Sequence, residues 1–180
     1  MNEVIKNMFE RRTIRKYTDQ PVTDEVLQQL YEVVESTQSW SNTQCWELVN
    51  VADPELRKQI QATLPTRNPS SMAIVNAPVL LAICAKKGLS GKIGEDMPSK
   101  HGDWYMFDLG LATQNLCLSA HSLGLGSVVV GWFDIDKVEE ILKAPSDVEV
   151  VALMPLGYRN QQGSVPTHKP VASFMHTDTF

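Results

Sequence analysis

Cysteine is scarce in this sequence, with three residues in 180 that are spaced too widely to form a paired motif. Cys45, Cys84 and Cys117 include no C-x-x-C pair, and their odd number does not fit a closed disulfide framework. The same spacing lacks the ligand pattern of a zinc site. We therefore expect reduced thiols, as in cytoplasmic proteins, and no metal.

The sequence also lacks any apolar run long enough to cross a bilayer, and residues 1–12 mix polar and apolar side chains without a signal-type segment. Positive charge is not in excess, since 16 Lys and Arg residues face 21 Asp and Glu residues and the formal net charge is -5. Nucleic-acid-binding proteins usually show the opposite balance. We expect a cytoplasmic protein with neither a membrane nor a nucleic acid as partner.

Motifs for nucleophilic, metal-dependent or nucleotide-binding chemistry are missing. The four histidines show no ligand spacing, and no G-x-S-x-G or Walker pattern occurs. Gly124 and Gly126 are not a dinucleotide fingerprint, because they follow a helical pattern and open a strand, and Val129 stands where the third glycine belongs. We interpret them as a helix cap and turn, whereas Gly131 can let a ligand approach the backbone. No catalytic acid, base or nucleophile is predicted, which favours chemistry supplied by a cofactor.

The sequence does contain a regular succession of helix and strand patterns over one domain, residues 1–180. With 43% hydrophobic residues, a chain of this length can bury a core. Apolar stripes and capping residues predict helices that begin near residues 4, 23, 54, 103 and 134. Apolar runs predict strands over 47–52, 78–85, 127–131 and 148–158. These elements indicate an α+β fold. The pattern over 103–123 predicts a helix that is buried on nearly all sides, as in a dimer core.

A short basic segment, R-R-T-I-R at residues 11–15, follows the first helix. Cations near a helix C-terminus are commonly only solvated partners of the helix dipole. A second interpretation stays open, because planar guanidinium groups and the Thr13 hydroxyl can together bind a phosphate.

The segments RRTIRKYTDQPVTDEVLQQL and SWSNTQCWELVNV together resemble the nitroreductase family of flavin oxidoreductases. The resemblance continues through DLGLATQNLCLSAHSLGLGS, VVVGWF and LMPLGY and covers nearly the whole chain. It implies a nitroreductase-like α+β fold, with a central, mostly antiparallel sheet flanked by helices, in an intertwined homodimer. It also implies FMN at the subunit interface, and a C-terminal tail, residues 159–180, that packs on the partner subunit.

The resemblance further implies which positions contact FMN. The positions that match contacts with the phosphate, ribityl chain and ring edge are Arg11, Arg12, Thr13 and Arg15. Those that match the second subunit's contribution are Ser39 and Asn42, with Gln44 and Trp46 completing the motif. Val130 and Gly131 match the strand-end backbone that faces the flavin ring, where an N–H near the reactive nitrogen would favour the reduced form.

This chain departs from the family pattern at several of these places. Gln38 replaces a proline, Trp40 replaces a small residue, and Cys45 replaces the proline of the second motif. We expect Trp40 to narrow or cover the flavin pocket. In the tail, His168 and Lys169 stand where the family supplies basic residues to the phosphate. Since a histidine is only partly protonated near neutral pH, we expect weaker and more pH-dependent FMN retention.

The function implied by the resemblance is an NAD(P)H-dependent flavin oxidoreductase. NADH or NADPH would reduce FMN, which would then reduce a small organic electron acceptor, such as a nitroaromatic or a quinone, in a ping-pong sequence. The candidates for a substrate-side wall are four aromatic residues whose usual role is packing: Trp104, Tyr105, Phe107 and Trp132. Two alternatives stay open: a non-catalytic flavin-binding carrier or sensor, and an interaction protein that has lost flavin.

Overall fold

Six α-helices and four β-strands form the regular structure of the chain, and the computed structural model describes all 180 residues. The helices are α1 (Glu3–Glu10), α2 (Asp24–Glu35), α3 (Pro54–Ala62), α4 (Ser71–Asn76), α5 (Tyr105–Ser122) and α6 (Ile135–Leu142). The strands are β1 (Trp46–Asn50), β2 (Val79–Lys86), β3 (Leu125–Ser127) and β4 (Val148–Tyr158).

The four strands form one sheet in the order β1-β2-β4-β3, and every neighbouring pair is antiparallel. Helices α2 and α5 cover one face of this sheet. Helices α3, α4 and α6 cover the other face. The predicted α+β fold, with an antiparallel sheet flanked by helices, is therefore confirmed.

The central strand β2 is apolar throughout because both of its faces are covered. Successive side chains of a strand point to opposite faces. Accordingly Leu81 and Ile83 join the core on the α2–α5 side, whereas Leu80 and Cys84 join the core on the other side. Alternation of polar and apolar residues would be incompatible with this position, which explains the continuous apolar run of the sequence.

Local capping signals place several helices as predicted. The Thr23 hydroxyl accepts a hydrogen bond from Val26 N, and Asp134 accepts one from Lys137 N, so both residues satisfy the first-turn N–H groups of their helices. Pro54 occupies the first turn of α3, where no intrahelical N–H is needed. These interactions involve only neighbouring residues, and a sequence pattern is sufficient to predict them.

The predicted strand over 127–131 is wrong. Strand β3 ends at Ser127, and beyond it only Val130 returns to the sheet, through a single bridge to Leu153. The helix α4 was not predicted, since its six residues carry no clear amphipathic repeat. Of the two glycines assigned to a turn, Gly124 does have a left-handed φ of 81°, but Gly126 lies inside β3.

A close backbone approach accounts for Gly126. A Cβ atom at this position would lie 2.6 Å from Cβ of Ile14 and 2.7 Å from Cγ of Arg159. No side chain fits there, because non-bonded carbon atoms normally stay roughly 3.5–4.0 Å apart. Gly126 therefore lets the segment after α1 pack directly onto the edge strand.

Helix α5 buries one face in the single chain, through Leu109, Leu116 and Cys117 among others. Met106 and Phe107 on another face are exposed, so the prediction of a helix buried on nearly all sides is wrong within one chain. None of the helices combines the length and the apolar character that crossing a bilayer requires.

The buried side chain of Arg57 ties α3 to the sheet without an acidic partner. Its guanidinium group donates to the carbonyl oxygens of Val51 (2.6 Å), Ala77 (2.6 Å) and Pro78 (3.2 Å). Arg57 thereby joins the end of β1 to the start of β2. Burial lowers the pKa of this guanidinium below its ordinary value, although an arginine stays charged in proteins.

Replacing Arg57 by Ala should lower the free energy of unfolding by about 3 kcal/mol, because two buried carbonyl oxygens and one half-buried carbonyl oxygen lose a charged donor. Lys58→Ala is the matched control on the next position of α3, where Lys58 is exposed and pairs only with Glu55. It should change stability by less than about 0.5 kcal/mol. Urea denaturation of both variants measures the two changes in stability. Equal changes would contradict the stabilising role of Arg57.

Candidate functional site

The basic segment is held as an extended strip along the edge of the sheet. Ile14 N donates to Ser127 O at 2.9 Å, and the Tyr17 hydroxyl contacts the carbonyl oxygens of Ile14 (2.7 Å) and Pro155 (3.0 Å). Ile14 is only 2% exposed. In an extended chain the side chains on either side of Ile14 point to the opposite face, which directs Thr13 and Arg15 away from the core.

A cavity of about 930 Å³ brings this segment together with the C-terminal tail. The site residues predicted from sequence that line it are Arg11, Arg12, Thr13, Arg15, His168 and Lys169. Gly163 lies directly against Arg12, where a Cβ atom would collide with the arginine side chain. Two segments separated by about 150 positions of sequence thus form one basic wall within a single chain.

A second cavity, of about 210 Å³, lies between the same segment and the end of β3. Arg11, Thr13 and Arg15 line it on one side, and Ser127 and Val128 on the other. The basic segment therefore faces the chain that leads from β3 towards Gly131.

Most of the cationic and hydroxyl groups of the large cavity have no partner within the chain. The guanidinium group of Arg11, the Thr13 hydroxyl and the Lys169 ammonium make no hydrogen bond, and all four ion pairs of the chain lie elsewhere. Arg12 is partly committed, since its Nη1 donates to the carbonyl oxygens of Phe9 (2.6 Å) and Arg11 (2.7 Å). An anion would satisfy the unpaired donors.

Of the two strand-end residues, only Gly131 has an available N–H. Val130 is buried and its N–H donates to Leu153 O at 2.8 Å. Gly131 is exposed, and its N–H makes no hydrogen bond within the chain. A Cβ atom on Gly131 would meet nothing within 4 Å, so the space beside it is open.

The loop with Ser39, Asn42 and Gln44 has a strained backbone. Ser41, Asn42 and Gln44 all adopt left-handed φ angles, of 45°, 57° and 49°. The loop holds this shape through its own hydrogen bonds, since Ser39 Oγ accepts from Gln44 N (2.9 Å) and Gln44 Nε2 donates to Asn42 Oδ1 (3.1 Å). Non-glycine residues in this region are uncommon and concentrate at functional sites.

Asp108, on the first turns of α5, anchors this loop. The residue is 1% exposed, and its carboxylate accepts from Trp40 N (3.1 and 3.2 Å) and from the Ser90 hydroxyl (2.6 Å). The Cys45 thiol lies 3.7 Å from the same carboxylate. Asp108 therefore joins three segments that are distant in sequence.

Cys45 is not a nucleophile in this environment. Burial, and then the neighbouring Asp108 carboxylate, raise the pKa of its thiol to about 12. The thiol stays protonated at neutral pH, and the thiolate is the reactive form of cysteine. This agrees with the absence of a nucleophilic motif in the sequence.

Two of the four candidate wall aromatics cluster at the start of α5. The Trp104 ring lies 5.0 Å from that of Trp40 and 5.2 Å from that of Phe107, and Trp40 Nε1 donates to Lys92 O at 3.0 Å. The remaining two lie apart from the cluster. Tyr105 donates to Glu149 (3.0 Å), while Trp132 packs under the Arg67 guanidinium.

Three buried polar residues at the site were missed by the sequence analysis: Asp108, Asn68 and Ser70. An acidic residue inside an otherwise apolar helix is a usable signal for Asp108, because a buried charge needs specific hydrogen-bond donors. Asn68 and Ser70 stand in an ordinary turn-like segment, R-N-P-S-S, that gives no such signal.

The sequence and the fold both have known relatives. Residues 8–158 match the Nitroreductase family. The chain is 31% identical over 195 residues to the FMN reductase [NAD(P)H] of Bacillus subtilis. This alignment covers 100% of the chain and 75% of the Bacillus protein. It is 26% identical over 185 residues to the oxygen-insensitive NADPH nitroreductase of Salmonella typhimurium. That alignment covers 100% of the chain and 75% of the Salmonella protein.

Among solved structures, the NADPH:FMN oxidoreductase of Vibrio harveyi complexed with NAD⁺ superposes with a TM-score of 0.86 at 26% identity. The alignment covers 99% of this chain and 78% of the Vibrio protein. This chain belongs to the nitroreductase family, as the resemblance in its sequence predicted.

The left-handed backbone at Ser41 gives a stability test of the strained loop. Ser41→Gly should raise the free energy of unfolding by about 1 kcal/mol, because glycine adopts a φ of 45° without steric cost. Ser41→Val at the same exposed position should lower it by about 1–2 kcal/mol. Thermal and urea unfolding of the flavin-free protein measure both. Changes of the same sign would contradict the assigned strain.

Proposed function

We propose that this protein uses FMN to transfer electrons from NADH or NADPH to a small organic acceptor, a nitroaromatic, a quinone or a similar compound, in a ping-pong sequence. The class itself is that of NAD(P)H-dependent flavin oxidoreductases, to which the named relatives belong. The observation that carries the proposal is the basic cavity in which residues 11–15 meet residues 164–169 of the tail.

The donor chemistry of this cavity fits the phosphate end of FMN. Arg11 offers a planar fork that binds phosphate in a bidentate manner, Lys169 adds a point charge, and the Thr13 hydroxyl adds a neutral donor. The net charge of the whole chain is -5, so an anion is attracted only locally, by these unpaired groups.

The groups near the end of β3 fit the ring end of FMN. Gly131 presents a free N–H beside open space, and Val130 fixes the backbone before it through two hydrogen bonds with Leu153 (2.8 and 2.9 Å). A rigid N–H donor stabilises negative charge without reorganising. When bound, FMN would supply the two-electron chemistry that no side chain of this site provides.

We further propose that the site is completed in a homodimer. The hydrogen bonds of the Ser39–Gln44 loop stay within the loop or run to Asp108 and Lys92, and none joins it to the basic cavity of the same chain. An apolar stripe on α1, with Val4, Ile5, Met8 and Phe9, is exposed in the single chain. A partner copy would cover this stripe and bring its own loop to the flavin, and the C-terminal tail, residues 159–180, would pack on it.

The aromatic cluster is the candidate acceptor-side wall. Trp104 and Phe107 lie together with Trp40, so we retain them for this role and no longer propose Tyr105 or Trp132. Trp40 was the reason for considering a carrier or sensor without turnover. Its indole is instead engaged with Lys92 and Trp104, and this contact does not favour that alternative.

A cytoplasmic location is also part of the proposal. All three cysteines are free and buried. Burial raises the pKa of the Cys84 thiol to about 12, which keeps it protonated. Thiols in this state suit a reducing compartment.

Anaerobic spectroscopy tests the proposed reaction. The purified protein with added FMN should show a bound-flavin spectrum that bleaches with NADH or NADPH. The colour should return on adding a nitroaromatic or quinone after the nicotinamide has been removed, as a ping-pong sequence requires. Bound flavin that neither bleaches nor reoxidises would favour the carrier or sensor instead.

Arg11→Ala should weaken FMN binding by roughly 10- to 100-fold and leave riboflavin binding unchanged, because only FMN carries the phosphate that a guanidinium fork holds. Lys16→Ala removes the same charge from an exposed side chain outside the cavity and serves as the control. Fluorescence titration with both flavins measures the affinities. An equal loss with riboflavin would place the phosphate elsewhere.

His168 should hold the phosphate of FMN less firmly than a lysine at the same position, because a lysine ammonium is a compact positive charge at neutral pH. His168→Lys should therefore tighten FMN binding a few-fold and leave riboflavin binding unchanged, since only FMN carries the phosphate. Fluorescence titration with both flavins measures the affinities. An FMN affinity equal to that of the wild type would refute a role for His168.

A further inference from the structure

Trp40 adds a large side chain to the loop that, in the proposed homodimer, reaches the flavin of the partner copy. It lies between Ser39 and Asn42, at a place where the family pattern has a small residue. A large side chain beside a bound flavin reduces the space that is left for the electron acceptor. The contacts of the indole decide whether that space is fixed or adjustable.

Three contacts within the chain hold Trp40 in one orientation. Its backbone N donates to both carboxylate oxygens of Asp108, at 3.1 and 3.2 Å. Its indole Nε1 donates to Lys92 O at 3.0 Å, and its ring lies 5.0 Å from that of Trp104. A different rotamer would lose the contacts with Lys92 and Trp104, so the indole does not move aside freely.

The segment between β2 and α5, residues 87–104, is held by the same group of contacts. Ser90 Oγ donates to Asp108 at 2.6 Å, and Trp104 N donates to Ser90 O at 3.3 Å. Lys92 O accepts from the Trp40 indole, and residues 93–98 beyond it are all exposed. Trp40 therefore helps to fix the position of this segment as well as that of its own ring.

Two features beside Trp40 lower the stability of the chain. The indole Nε1 of Trp104 is buried without a hydrogen-bond partner, and Ser41 has a left-handed φ of 45°. A buried unpaired donor and a strained backbone are both unfavourable, and they are found chiefly at functional sites. A role in the site therefore explains this cluster better than a gain in stability does.

The open side of the cluster is apolar. Phe107, whose ring lies 5.2 Å from that of Trp104, is 58% exposed, and Met106 is 56% exposed. Aromatic ligands pack on such surfaces. Trp40 is half-buried, so part of its ring borders the same surface. A ring system that extends from Phe107 along the cluster would meet the fixed indole of Trp40.

We propose that Trp40 is a specificity-determining residue that limits the electron acceptor to a single aromatic ring. Held by Asp108, Lys92 and Trp104, its indole occupies the space that a second fused ring would need. This inference rests on the proposed function and names the size class of its acceptor. The residue types at the neighbouring positions give no such limit, since Ser39, Ser41 and Asn42 are all small or short.

The test compares one-ring and two-ring acceptors as oxidants of the prereduced, FMN-loaded protein in anaerobic stopped-flow experiments. The pairs are nitrobenzene with 1-nitronaphthalene and 1,4-benzoquinone with 1,4-naphthoquinone. Each acceptor takes two electrons and two protons from the reduced flavin: a nitro group becomes a nitroso group and releases water, and a quinone becomes a hydroquinone. The measured quantity is the rate constant for the two-ring acceptor divided by that for its one-ring counterpart.

Trp40→Ala should raise this ratio about tenfold over that of the wild type, because the variant opens the space for the second ring. Trp40→Phe keeps one ring at the position and should raise the ratio by less than about threefold. Dividing the ratio of a variant by that of the wild type cancels the different intrinsic reactivities of the acceptors.

Val49→Ala is the control for shortening an apolar side chain away from the site. Val49 is 39% exposed and lines a cavity with Cys84 and Leu142 on the opposite face of the sheet. This variant should keep the ratio within about twofold of the wild type. Trp40→Ala should also keep the FMN affinity within about threefold, because the indole is not among the proposed flavin contacts. Melting temperatures confirm that the variants are folded.

Three results would overturn the inference. If the wild type turns over but Trp40→Ala leaves the ratio within about twofold, Trp40 does not limit acceptor size and the proposed function stands. If Trp40→Ala weakens FMN binding at an unchanged ratio, Trp40 only supports the flavin loop. If the wild-type protein binds no FMN, or if none of the four acceptors reoxidises it, the proposed function fails and this inference fails with it.

Discussion

The packing of Ile14 onto the backbone of Gly126 is the contact on which the site depends. It brings the segment after α1 against β3 so closely that only glycine fits on the strand. Burial of Ile14 forces its neighbours Thr13 and Arg15 to the opposite face of an extended chain. One apolar contact in the core thereby sets the direction of the polar groups that line both cavities.

The basic cavity is electrostatically incomplete without an anion. Its cations have no acidic partner, although the chain has more acidic than basic residues, and every ion pair of the chain forms elsewhere. Neighbouring like charges disfavour the folded state, as does a strained backbone such as that of the Ser41–Gln44 loop. Both features are explained if the fold is shaped for a ligand rather than for its own stability.

The parts of this structure that the sequence predicts are those determined by near neighbours. The Thr23 and Asp134 caps and the apolar β2 strand are of this kind. The backbone bridge between Val130 and Leu153 depends on a strand that is distant in sequence. The contacts of Asp108 with Trp40 and Ser90 likewise join segments that are distant in sequence. No local pattern encodes such contacts, which is why the third strand was predicted too far along the chain and why Asn68 and Ser70 were missed.

The most direct test of the central claim is a crystal structure of the protein grown with FMN. The account predicts the phosphate within about 2.7–2.9 Å of the guanidinium nitrogens of Arg11. It also predicts Lys169 facing the phosphate and the Gly131 N–H facing the ring. A phosphate held by other residues, with the Arg11 guanidinium and the Thr13 hydroxyl still unpaired, would contradict it.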